Sequence, residues 1–104
     1  MGAESGDAAQ RLAHRLSGAG FGREALEEAA AVLEDRGAAY GAPESAFAAI
    51  AARWSLTLGV EVTPAQVALC MIDLKLARLA HDPSYADGPL DVIGYAAILR
   101  RLAP

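Results

Sequence analysis

At 104 residues the chain can hold one modest core but not two. A net charge of −4, with nine Lys and Arg, excludes a nucleic-acid backbone as the main partner, because phosphate contacts need clustered basic side chains. No run of about 18 apolar residues is present to form a membrane span.

The apolar share is nevertheless 54%, much of it alanine. That predicts helices packed at close approach, together with a subunit interface, so a homodimer or higher homo-oligomer is expected. The opening MGAESGDAAQ has neither the basic start nor the apolar core of a signal peptide. Acidic residues after Met1-Gly2 also argue against myristoylation, and the expected location is the cytoplasm. The single cysteine, Cys70, rules out an intrachain disulfide. Its apolar neighbours predict a buried, inert thiol.

In chain order, the first predicted helix runs from Gly6 to Ser17, with Leu12 and Leu16 on one face, and breaks at Ser17-Gly18-Ala19-Gly20. It reads as a loosely attached N-terminal arm. The second runs from Arg23 to Ala39, with an apolar stripe of Leu26, Ala29, Ala30 and Leu33. Gly37 on that face is expected to admit a close helix neighbour. Glu24, Glu27 and Glu28 suit the positive end of the helix dipole.

Tyr40-Gly41-Ala42-Pro43 predicts a turn, with Pro43 opening a third helix that reaches Leu56 and buries Phe47, Ile50 and Trp54. A short extended link, Gly59 to Val62, precedes Thr63-Pro64-Ala65-Gln66. This string combines a Thr cap, Pro at the first position and Gln three residues on, the signature of a capping box. The fourth helix then ends near His81, before Asp82-Pro83, and a loop from Ser84 to Gly88 leads to a fifth, Pro89 to Leu102. No alternating strand pattern and no internal repeat appear. The fold class is therefore all-α, a bundle of four main helices plus an N-terminal one.

The stretch from Val67 to Tyr95 carries the chemistry. Asp73, Lys75 and Arg78 interrupt an otherwise apolar helix, and charges on a buried helix cost free energy unless paired or bound. On a helical wheel Gln66 and Asp73 share one face, while Lys75 and Arg78 lie on another. A helix with two polar stripes packs on more than one side, so its charges face a cleft or a neighbouring subunit. Asp73 is expected at a subunit or helix interface. Asp87, Asp91 and Tyr95 follow at four-residue steps on one side of the fifth helix.

Two carboxylates one turn apart can share Mg²⁺, with Lys75 and Arg78 meeting phosphate oxygens. Alternatively Asp87 only caps its helix, and Asp91 pairs with Lys75 or Arg78. The glutamates of the second helix offer the same choice between a metal site and a solvated first turn. His14 and His81 have no partner at ligand spacing.

The string Asp35-Arg36-x-x-x-Tyr40-Gly41-x-Pro43, followed by Phe47-x-x-Ile50-Ala51-x-x-Trp54, resembles a small helical domain of phages and actinobacteria. Leu58-Gly59-Val60, Thr63, Val67, Met71 and Leu74-Lys75-Leu76-Ala77-Arg78-Leu79 continue the match. Asp87-x-x-x-Asp91-x-x-Gly94-Tyr95-Ala96 closes it, over about residues 27 to 99. That resemblance carries no activity with it.

More loosely, Lys-x-x-Arg followed by Asp-x-x-x-Asp is similar to the MazG-like all-α nucleoside triphosphate pyrophosphohydrolases. These hold Mg²⁺ with acids from two helices and cleave a nucleotide between its α and β phosphates. The resemblance implies a MazG-like bundle with Asp87 and Asp91 as one acidic pair and Glu24, Glu27 or Glu28 as the other. It further implies Lys75 and Arg78 as catalytic groups on the phosphates, with Arg36, Tyr40 and Tyr95 binding substrate. Ala46 and Ala42 stand where the family usually has Asn and Asp, and the glutamates do not spell its EExxE. Two functions follow: a Mg²⁺-dependent nucleotide pyrophosphohydrolase, active or degenerate, or a non-catalytic helical binding or oligomeric module whose charges form internal salt bridges.

Overall fold

The computed structural model describes residues 9–11 and 20–103, and its regular structure is helical. Four helices follow one another: α1 (Phe21–Tyr40), α2 (Pro43–Leu58), α3 (Pro64–His81) and α4 (Asp87–Leu102). Residues 9–11 are helical too, while the rest of the expected N-terminal helix lies outside the described residues, as do His14 and the break at 17–19. None of the described helices is long and apolar enough to cross a membrane.

The helix boundaries follow from local chemistry. At the start of α3, the Thr63 hydroxyl accepts from the Gln66 N–H at 3.1 Å, and Gln66 Oε1 accepts from the Thr63 N–H at 2.9 Å. This is the expected capping box, with Pro64 in the first turn. Pro43 opens α2 in the same way. α1 and α2 both stop at glycines with left-handed φ, Gly41 at 85° and Gly59 at 73°. Each donates its N–H back to the preceding turn, to Gly37 and Ser55 respectively. Ser55 also fixes the α2–α3 corner: its hydroxyl donates to the Ala51 carbonyl at 2.7 Å and accepts from the Val62 N–H at 2.8 Å.

α3 and α4 form an antiparallel hairpin, the largest helix–helix interface of the molecule. Val67 and Ala68 of α3 are fully buried, against Phe47 and Ala51 of α2 and the Tyr95, Ile98, Leu99 and Leu102 side of α4. Ile50 and Trp54 pack on this core while remaining partly exposed. Glu44 of α2 pairs with Arg101 of α4 at 2.8 Å on the surface. α1 rests on α4.

Three expectations about helix orientation are corrected. The buried stripe of α1 is Gly22, Ala25, Ala29 and Leu33, rotated from the apolar stripe expected, and Leu26 is 60% exposed. Among the described residues α1 packs mainly on α4, and such a helix needs a narrow line of small residues, not a broad apolar face. A Cβ on Gly37 would meet nothing within 4 Å, and among the described residues no helix packs against it. Cys70 is exposed, because α3 turns Val67, Ala68 and Lys75 inward and Cys70 away from both α2 and α4.

Gly88 shows the opposite environment to Gly37. It is buried at the start of α4, and a Cβ there would lie 2.5 Å from Leu79 Cδ2 and 2.7 Å from Leu79 Cγ. The same substitution therefore has opposite signs at the two positions. Gly37→Ala should raise unfolding free energy by about 0.5–1 kcal/mol through backbone entropy and propensity. Gly88→Ala should lower it by about 1 kcal/mol or more as Leu79 is displaced. Urea titration of both variants against the parent chain measures the contrast.

Candidate functional site

The antiparallel register that sets Leu79 against Gly88 also sets Lys75 of α3 against Asp91 of α4. The Lys75 ammonium donates to Asp91 Oδ2 at 2.9 Å, and the two side chains are only 12% and 24% exposed. Tyr85, from the α3–α4 loop, places its ring centroid 5.8 Å from Lys75 Nζ, a cation–π contact. This trio is the most shielded charged group among the described residues.

The loop is shaped by Asp82. Its carboxylate accepts from the Ser84 N–H at 3.1 Å and from the Ser84 hydroxyl at 2.6 Å. Its backbone N–H closes α3 on Arg78, and its carbonyl accepts from the Tyr85 N–H. Asp-x-Ser is a side-chain-mimicked turn, and here it returns Tyr85 to the helix it has just left. Beside it lies an open depression of about 500 Å³, lined by Leu74, Ala77, Arg78, His81, Asp82 and Tyr85.

Two protonation equilibria are displaced. The hydrogen bond from Lys75 to Asp91 holds the lysine above its ordinary value; burial opposes this, and the Asp91 charge adds to it. Asp82 is held below the ordinary carboxylate value by its two hydrogen bonds from Ser84.

Of the residues expected at a site, only Lys75 and Asp91 meet. Arg78 is exposed in the depression and makes no ion pair among the described residues. Asp87 is exposed in the first turn of α4 and does not cap it: the cap position is Ala86, in helical conformation and without a side-chain hydrogen bond. Glu24, Glu27 and Glu28 point away from α4, because they lie opposite the Gly22–Ala25–Ala29–Leu33 stripe on α1.

Consequently no group of three or more His, Cys, Asp or Glu side chains that could hold a metal forms among the described residues. The expected cage of Asp87, Asp91 and an α1 glutamate is not assembled within one chain. Tyr95 stacks edge-on against Phe47, with ring centroids 6.4 Å apart, and so serves the core. Arg36 and Tyr40 are exposed near the C-terminal end of α1. Asp73 is exposed on the outer face of α3. Tyr85 was not among the residues expected at the site. The string Asp82-Pro83-Ser84 is the signal that could have found it, since such a turn fixes where the next side chain goes.

Removing one partner of the shielded pair should cost more than for an exposed ion pair and less than for a fully buried one. Asp91→Asn is expected to destabilise by about 2 kcal/mol, while the apolar double variant Lys75→Met/Asp91→Leu recovers most of the loss. A double-mutant cycle by chemical denaturation measures both. The raised lysine sets the pH dependence. Its contribution is whole below the unfolded lysine value of 10.5 and is lost as pH climbs through the higher folded value. Stability should therefore hold to about pH 10 and then fall, and the fall should shrink in Lys75→Met.

The chain is similar to a phage gene product. The chain is 38% identical over 64 residues to the "Gene 55 protein" of Mycobacterium phage L5, an alignment covering 61% of this chain and 41% of the phage protein. The chain thus spans less than half the length of that relative. No solved structure matches the chain. Residues 24–103, covering all four helices but the first residues of α1, match the family described as Domain of unknown function (DUF6378), and the chain belongs to that family.

Proposed function

We propose that this chain is a non-catalytic helical module of a phage-related system, in which Lys75 and Asp91 form an internal structural ion pair. The observation that carries this reading is the state of Asp91. Its carboxylate is already engaged by an ammonium at 2.9 Å in a shielded position. A divalent cation would have to displace that lysine, or sit beside a fixed positive charge. Mg²⁺ prefers near-octahedral oxygen ligation, usually by one or two carboxylates together with substrate phosphates. The remaining acids implied by the MazG-like resemblance are dispersed: Asp87 on the α4 end and three glutamates on the outer side of α1. These residues do not fit a metal in the arrangement described.

What the arrangement does supply is rigidity. Lys75, Asp91 and Tyr85 tie the middle of α3, the first turns of α4 and the loop between them into one unit. The depression next to this unit is lined by apolar Leu74 and Ala77 with Arg78 and His81 at its edge. Such a surface suits a binding partner better than a reaction.

Thermal melts with Mg²⁺ and each common nucleoside triphosphate, alongside an assay for released pyrophosphate, test the reading. The expected result is an unchanged melting temperature and no pyrophosphate. The melting temperature of Asp91→Asn should be lower with or without nucleotide. A Mg²⁺-dependent nucleotide shift that disappears in Asp91→Asn would instead establish the hydrolase reading.

A further inference from the structure

We draw no further inference here: the strongest candidate, the open depression between the last turns of α3 and the Tyr85 loop, is lined apart from Tyr85 by exposed side chains that continue the uncovered face of α3, and nothing in the structure shows what covers it.

Discussion

Leu79 fills the space that a side chain at position 88 would need, so the α3–α4 hairpin packs at its observed separation with Leu79 seated directly on Gly88. Everything else of note is referred to that closure. It sets the antiparallel register, and the register places Val67 and Ala68 against Tyr95, Ile98 and Leu99 at one end. At the other end it brings Lys75 to Asp91. Packing density and electrostatics are thus two readings of one helix separation, and a change at the glycine would disturb the ion pair about one turn away from it.

The ion pair occupies an intermediate regime. Two charges fully withdrawn from water seldom stabilise relative to apolar residues of the same shape, whereas exposed pairs contribute little. With a quarter of the Asp91 side chain still accessible, the carboxylate keeps part of its hydration while the ammonium is almost enclosed. The ring of Tyr85 adds a cation–π contact to the lysine, 5.8 Å from its ammonium. This division gives the pair a role in register: a helix slipped by one residue would bury Lys75 without its partner. The Asp82–Ser84 turn belongs to the same device, because it holds the tyrosine in place through hydrogen bonds that need no core behind them.

Most helix ends were legible in the sequence because they depend on local chemistry; the start of α4 is the exception, at Asp87 and not at the expected Pro89. Thr63 and Gln66 form the capping box their spacing implies, Pro43 and Pro64 open helices, and Gly41 and Gly59 close them. Helix rotation was much less legible. Alanine is neither costly to expose nor difficult to bury, so in α1 the wheel could not choose between the Leu26–Ala30 side and the Gly22–Ala25–Ala29 side. The same ambiguity hid the exposure of Cys70. For the site, charge pairing across α3 and α4 could be anticipated, but which acid met which base depended on the register. The glutamates of α1 went astray for the rotational reason: once small residues face α4, the acids must face water.

The way α1 is attached has a consequence for the order in which the molecule comes apart. α1 lies on α4 through two alanines, a glycine and Leu33, whose Cδ2 is 3.9 Å from where a Cβ on Gly94 would be. Little apolar area is withdrawn from water along that seam, and past Gly41 the chain enters a helix anchored in a different part of the core. Native-state opening free energies track buried area of this kind. By that measure the described helices should open as two cooperative units, a three-helix nucleus of α2, α3 and α4 and a first helix that detaches below the cost of global unfolding. Amides of α1 should therefore lose protection from hydrogen exchange before those of Val67 and Ala68, with the side of α4 carrying Gly94 uncovered in the same opening.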